Sequence, residues 1–580
     1  MNLQRELSCR LQQAIAKAFP DAGDVDPLVA PAQNPQFGDY QANCAMSLSK
    51  RLKSNPRAIA QGIVEALDAG DLLEDPQIAG PGFINMRVRR EFLQQRVAEA
   101  SADERLGLAK ADSPRKIVVD FGGPNTCKPM HIGHIRSIVI GDAIQRLLRL
   151  LGHEVTSDNH LGDWGTQFGL LIAGYKRWRD EPLSLTTPPG KPSHFLRTLV
   201  EFYKRANALA ERDNDFRDEA RQELAKLQCG DVGSLKLWQE YRNASQDHFN
   251  AIYRRMDVHF DETLGESFYN DMLPGVVREL TETEPPLAQK SEDALCVFWD
   301  DDSLPPLLVR KKDGAFLYAT TDLATLKYRR DRWHPDEIVY VTDGRQQLHF
   351  RQIFSVAERW GVAGGIKLRH VWFGTILGPD GRPLKTRSGD LVELADVLDE
   401  AERRAMTIVR EKTPDLDDAE AAEIARTVGL GAIKYADLSQ NRQSDFVFDW
   451  DKMLSMQGNT APYLQYAYAR IRSIFRKGEE SGDRPANAAV LLAEPAERTL
   501  GLKLLQWPEV VEAASDDYRM NLISNYLYEL SSVFTGFYES CPVLKSELAQ
   551  RDSRLQLCDL ASRVLKTGLD VLGIKVLERM

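Results

Sequence analysis

The stretch KIVVDFGGPNTCKPMHIGHIRSIVIGDAIQRLLRLLG, residues 116–152, is where the fold can be read. It opens on the β-branched run 116–121 and passes through a loop with Gly122, Gly123, Pro124 and Pro129. In the segment 134–151 that follows, Ile135, Ile138, Val139, Ile144, Leu147, Leu148 and Leu151 share one helical side, and Gly152 supplies the stop. A second short strand run, 154–159, comes directly after. Strand, helix and parallel strand in that order predict a βαβ crossover of a doubly wound parallel sheet, which binds ligands beyond the carboxyl ends of its strands. Asp120, Asn125 and His160 then fall beside one crevice.

Upstream, Leu3, Leu7, Leu11 and Ile15 recur at every fourth residue in an opening helix, and the polar stretch 101–116, broken by Pro114, reads as a linker. Downstream, 180–300 is polar and helix-prone, which suits helical insertions. Short runs at 315–319, 337–341 and 370–375 predict a second sheet half. From about 395 to 580 the pattern is helical, with one stripe at Leu464, Ala467, Ile471, Ile474 and Phe475 and another at Ile523, Leu527, Leu530, Phe534 and Phe537.

Composition narrows the class. A chain of 580 residues exceeds a single core, with a prior of about four domains at roughly 150 residues each. At 43% hydrophobic and 27% charged residues it should fold, and no apolar run approaches a membrane span. The start, MNLQRELSCR, lacks the apolar core of a secretory signal, so a cytoplasmic location is expected. Seven widely spaced cysteines suggest neither a disulfide framework nor a structural zinc site. A net charge of -11 argues against coating nucleic acid through bulk charge, without excluding a local basic surface.

The densest chemistry lies at 124–134, PNTCKPMHIGH. Two imidazoles three residues apart at a helix N-terminus can donate toward a triphosphate, and the helix dipole adds positive potential there. Gly133 between them lets a flat base approach the backbone. Taken alone, His131 and His134 are as well explained as helix-start residues or a chance metal pair; strand, loop, histidines and helix in series favour the nucleotide reading.

This segment resembles the HIGH signature of class I aminoacyl-tRNA synthetases. The longer run from 118, with NHLGDWGTQFG (159–169), FGDYQAN (37–43), YATTDLA (318–324), DGRQQLHF (343–350) and GNTAPYLQYAYARI (458–471), resembles the arginyl-tRNA synthetases in particular. The resemblance implies an N-terminal α+β, tRNA-contacting domain (1–112) and a Rossmann-type doubly wound catalytic domain (113–395). After these it implies a helical connector (396–454) and an all-helical anticodon-binding domain (455–580). It implies ATP with Mg2+, L-arginine and tRNA(Arg) as substrates, no structural metal, no membrane contact, and a monomer. ATP would be held by Pro124, Asn125, Thr126, Cys127, Lys128, Pro129, Met130, His131, Ile132, Gly133 and His134. Arginine would be held by Asp120, Asn125, Tyr318, Asp322 and Gln346, with Asn125 and Gln346 near the amino-acid end.

Charge argues for the same substrate. A guanidinium is planar and always cationic, so a selective pocket needs carboxylates in fork geometry with neutral acceptors. Asp322 follows Tyr318 by four residues, on one face if that stretch is helical. The alternatives are a helix N-terminal acid and a core aromatic. In 159–169, Trp164 reads as packing, and His160, Asp163 and Gln167 as rim candidates.

Class I enzymes usually place a Lys-Met-Ser-Lys-Ser loop against the pyrophosphate, and this chain departs from that with GRPLKTRSG at 381–389. Leu384 stands where the first lysine would be, leaving Lys385, Arg387 and Lys128 as candidate catalytic cations; a charged surface hairpin is the plain alternative.

Residues 455–580 hold 15 Lys and Arg against 16 Asp and Glu, so the excess acid lies elsewhere. Tyr463, Tyr466, Arg470 and Arg472 combine aromatic and basic character suited to an RNA loop, as do Phe37, Tyr40, Gln41 and Asn43. An ordinary helical domain with a basic edge, and a local core around Phe37 and Tyr40, fit these residues equally well. Two other functions stay open at this level: a HIGH-bearing nucleotidyl transferase for another amino acid, and a non-catalytic RNA-binding paralogue.

Overall fold

Ile117, Val118 and Val119 are buried on both sides of the strand Lys116–Asp120, the continuous apolar run of a parallel strand covered on both faces. In the computed structural model, which describes residues 2–181, 194–301, 303–382, 384, 392–480 and 489–580, this strand is the centre of a five-stranded sheet. The order is Lys367–His370, Glu337–Tyr340, Lys116–Asp120, Glu154–Leu161, Glu262–Gly265, all parallel. Connections run outward in opposite directions from Lys116–Asp120, so the switch point lies between it and Glu337–Tyr340. The crossover helix Ile135–Leu150 is buried along most of its length, and a 3-10 turn, Ile132–His134, leads into it.

The second sheet half differs from the sequence expectation. Residues 315–319 are not a strand: the helix Tyr318–Trp333 begins there, burying Ala319, Leu323, Ala324 and Leu326. The nearby strand is Leu307–Arg310, in a three-stranded antiparallel sheet with Ala288–Ser291 and Ala294–Val297. A short apolar window cannot separate a strand from a buried helical turn, which is why the period misled. Likewise 370–375 is not one strand: the sheet strand is Lys367–His370, and Ile376–Leu377 pairs with Phe446–Val447. The region 180–300 holds the helices His194–Ala210, Asn214–Gln228 and Val232–Arg255, and also the sheet's edge strand Glu262–Gly265, too short to show alternation.

Contacts divide the chain into two compact units. One comprises Ala111–Leu454 with Val571–Ile574, and the other Met1–Lys110, Ser455–Asp570 and Lys575–Met580. In the latter the first 110 residues share a unit with the C-terminal helices. An antiparallel sheet ordered Val29–Pro31, Tyr40–Ala42, Phe83–Met86, Gln77–Ala79 lies with the helix Leu3–Ala18, whose Leu3, Leu7, Leu11 and Ile15 are buried. Arg498 grips Asp39 with two bonds, of 2.8 and 2.6 Å. Among the described residues no helix is long and apolar enough to cross a membrane, and no group of three acidic, His or Cys side chains is placed to hold a metal.

Candidate active site

A cleft of about 410 Å³ opens at the switch point, lined by Asp120, Asn125, His131, Gly133 and His134 on one side and Thr342, Arg345 and Gln346 on the other. Ser137, in the first turn of the crossover helix, sets its floor. The hydroxyl accepts from the Gly122 amide at 2.9 Å and donates to the Val341 carbonyl at 2.7 Å, tying the loops after two neighbouring strands.

The two histidines cap their own turn. The Gly133 amide donates to His131 Nδ1 and the His131 amide to His134 Nδ1, each at 3.1 Å, a reciprocal capping box. With Nδ1 of His131 accepting, its proton sits on Nε2, free to donate. Burial pushes the His134 pKa down to about 3, helped by His131. Burial, then Lys128 and Arg345, lowers that of His131. Both imidazoles are therefore neutral N–H donors at pH 7. A Cβ on Gly133 would stand 2.9 Å from the His131 ring, so glycine is required by the histidine as well as by any base.

The motif 159–169 supports the loop rather than lining the cleft. The Gly162 carbonyl accepts from the Thr126 amide and hydroxyl, and a Cβ on Gly162 would overlap Asn125 Oδ1 at 2.0 Å. Asp163 is fully buried, accepting from the Ser267 amide and hydroxyl and pairing with Arg242 at 2.9 Å, so it is not a rim residue. Trp164 packs edge-on against Trp238, His160 lies against Tyr269, and Gln167 donates to the Trp164 carbonyl. None of these lines the cleft.

Tyr318 and Asp322 lie on the first turns of the helix Tyr318–Trp333, beyond the cleft lining. Asp322 Oδ2 is 2.5 Å from His349 Nε2, one helical turn past Gln346. Nearby, Glu266 is pushed up to about 8 by burial and then by the negative charge of Asp322 and Asp163. Tyr318 is raised by burial and then by Glu266. This group brings together two acids, a phenol and an imidazole. Asp120, at the other end, pairs with Arg329 at 2.7 Å.

Sequence reasoning missed Glu266, His349, Ser137, Arg329 and Arg345. Arg345 and His349 stand in the string DGRQQLHF (343–350) and Ser137 in 116–152, yet nothing local separates them from their neighbours, and Glu266 and Arg329 stand in no such string. Arg345 is an exposed cation on the cleft, braced by Asp343. Arg136 forms the buried wall, bidentate to Asp437 and bonded to the Ser444 carbonyl.

Several expected ligand groups are placed elsewhere. Pro124, Thr126, Cys127 and Met130 are buried, and with Pro129 they lie outside the cleft lining, so their contribution is to hold the loop. The Lys128 ammonium sits over the Tyr203 ring at 5.2 Å, also outside it. Lys385 and Arg387 lie outside the described residues. Flanking them, Leu384 lines the cleft, and Val392 accepts from the Ile132 amide at 2.9 Å.

Among the RNA candidates, Tyr40 is fully buried and donates to Glu509 at 2.7 Å, so it presents no face to a nucleic acid. Gln41 donates to Asn85, and Asn43 keeps a buried, unpartnered Oδ1. Phe37 and Tyr466 are exposed, and Tyr463 stands edge-on to Tyr528. The Arg470 guanidinium lies over Tyr538, while Arg472 is ion-paired to Glu578 at 3.0 Å.

Three family descriptions match the chain: "tRNA synthetases class I (R), catalytic domain" over residues 96–450, "DALR anticodon binding domain" over 464–580, and "Arginyl tRNA synthetase N terminal domain" over 5–88. The chain is 44% identical to the arginine–tRNA ligase of Chromobacterium violaceum over 100% of both, and 46% identical to that of Synechococcus elongatus over 99% of each. The crystal structure of Plasmodium falciparum arginyl-tRNA synthetase aligns with a TM-score of 0.85 at 29% identity, covering 100% of this chain and 99% of that one.

Proposed function

The chain belongs to the arginyl-tRNA synthetases and has their activity, and we propose that the cleft beside Asp120 is where arginine and ATP meet. In the first step a carboxylate oxygen of L-arginine attacks the α-phosphorus of ATP. The new O–P bond gives arginyl-adenylate, and the bond to the β-phosphate oxygen breaks as pyrophosphate leaves. In the second step a ribose hydroxyl at the 3′ end of tRNA(Arg) attacks the arginyl carbonyl and AMP departs. The substrate supplies the nucleophile in the first step, so the chain contributes positioning and charge.

His131 and His134 donate N–H groups toward phosphate oxygens as charge shifts to the leaving pyrophosphate. Asp120, Asn125 and Gln346 hold the amino-acid end, and Tyr318, Asp322 and Glu266 take the guanidinium. Lys385 and Arg387 meet the pyrophosphate with Arg345, a role supported by Leu384 in the cleft lining on one side of them and by Val392, whose carbonyl accepts from the amide of cleft-lining Ile132, on the other. Magnesium enters with the nucleotide: Asp120 and Asp343, the acids of the cleft, are each paired to an arginine already. The N-terminal 1–112 and the helical 455–580 contact tRNA, chiefly through exposed Phe37 and Tyr466 and half-buried Arg470. The protein acts as a monomer in the cytoplasm.

The observation that carries this reading is the convergence of both histidines, Asp120, Asn125 and Gln346 on one cleft at the switch point. Aminoacylation of bulk tRNA with each amino acid in turn tests it. Arginine alone should be esterified; charging with lysine, glutamate or cysteine at a comparable rate would overturn the assignment of the acidic group to a guanidinium.

A further inference from the structure

Arg329 is fully buried, and its guanidinium joins two carboxylates on neighbouring strands. Nη2 donates to Asp120 Oδ2 and to Asp158 Oδ2, each at 2.7 Å, and Nε donates to Asp158 at 3.1 Å. Asp120 and Asp158 are direct partners in the parallel ladder, so without a cation two acids would face each other in the core. Asp158 is fully buried behind the cleft, whereas Asp120 lines it. Around the pair, among the described residues, stand the phenols Tyr340 and Tyr269, both raised by burial, and His160 on the strand of Asp158, with Thr325 bonded to Tyr269 and the negative charge of Asp322 acting on Tyr340.

Tyr318, Asp322 and Arg329 occupy one face of the same helix, within about 40° at 100° per residue. One rigid element therefore carries the acidic group proposed for the guanidinium. About 10 Å further along its axis, at 1.5 Å per residue from Asp322, it carries the counter-ion of the residue proposed for the amino-acid end.

We propose that Arg329 is a positioning residue for amino-acid activation: by neutralising buried Asp158 it leaves the triad one net negative charge, presented at the cleft by Asp120 to the substrate α-ammonium group. This rests on the reading that Asp120 lines the amino-acid site. Charge counting separates it from a role in stability alone. The native triad carries -1. Arg329→Gln leaves -2, and two adjacent carboxylates then share a proton, taking Asp120 out of its ionised form part of the time. Asp158→Asn leaves 0, with Arg329 bound to Asp120 alone and competing with the ammonium. Combining the two restores -1.

Aminoacylation kinetics of the full chain, with arginine varied at saturating ATP and tRNA, measure this. Arg329→Gln should raise the KM for arginine about tenfold at pH 7 while kcat and the KM for ATP stay within about threefold, and the defect should shrink toward pH 9 as the shared proton leaves. Asp158→Asn should raise the same KM about tenfold with no recovery at high pH. The double variant should lie within about threefold of the native enzyme, better than either single change. If Arg329→Gln does not fold, Asp158→Asn against the double variant still decides. A double variant no better than the worse single change, or losses shared by kcat and every KM at all pH values, overturns the proposal. Asp120→Asn with a native KM for arginine would instead overturn the site reading beneath it.

Discussion

His131 and His134 are neutral, capped into their own turn, and aimed by it. A donor that meets charge developing on a leaving phosphate is worth roughly 2–4 kcal/mol of barrier. His134→Asn, which retains an acceptor for the His131 amide, should therefore cut kcat for ATP–pyrophosphate exchange by about 30-fold or more while the KM for ATP changes little. A loss below about tenfold, roughly 1.4 kcal/mol, removes His134 from the phosphate-contacting set. Glu266 gives a prediction of the opposite chemical kind. With its pKa pushed up to about 8, it is mostly protonated at neutral pH in the free enzyme, and an incoming guanidinium favours its ionised form. Arginine should then bind more tightly as pH rises from 6 to 8, releasing a proton, and level off above that. Calorimetry at pH 7 in buffers of different ionisation enthalpy reads the proton directly, and Glu266→Gln should abolish both effects. A native enzyme whose arginine affinity is flat across this range would detach Glu266 from the guanidinium. The histidines were legible in the sequence because helix-start geometry is local. Glu266 was not, because what marks it is burial beside Asp322, 56 positions away in the chain.

At the level of elements, the helix Tyr318–Trp333 and the helix Trp507–Asp516 each do work that the pattern concealed. The window 315–319 looked like a strand, but its last two residues open the first helix, which bears Tyr318, Asp322 and Arg329. The second brings Glu509 against the N-terminal sheet, where Tyr40 and the Gln4 amide both donate to Oε1 at 2.7 and 2.9 Å. Burial outweighs these bonds and pushes Glu509 up to about 7. Because the folded chain holds that proton more tightly than the unfolded one, the associated stability is full below about pH 4.5 and lost as pH rises toward 7. A shift of this size is worth on the order of 3 kcal/mol. Glu509→Gln keeps an acceptor for Tyr40 and loses the titration, so its Tm should fall less than that of the native chain between pH 5 and 7.5. Parallel Tm curves for the two proteins would contradict this account.

For the molecule as a whole, a net charge of -11 coexists with an activity that requires tRNA. The C-terminal 455–580 is near neutral, and several of its basic side chains are committed internally, Arg472 to Glu578 and Arg498 to Asp39. Contact with RNA then rests on limited surfaces rather than on bulk attraction. The Kd for tRNA should rise by about tenfold or more between 50 and 200 mM salt, while the KM for arginine barely changes; a tRNA affinity that weakens less than about twofold would place the binding energy outside phosphate contacts. The sequence by itself determined the βαβ unit, its histidine turn, the buried stripe of the opening helix and the helical character of the C-terminal part, all of which depend on spacings of a few residues. Only the tertiary structure decided that Arg329 meets Asp120 and Asp158, separated from it by 209 and 171 positions, that Tyr40 is buried against Glu509 rather than free for RNA, and that Lys128 lies over Tyr203 instead of in the cleft. Which charges are buried, and which partner neutralises them, depends on how distant elements stack, and no local period records that.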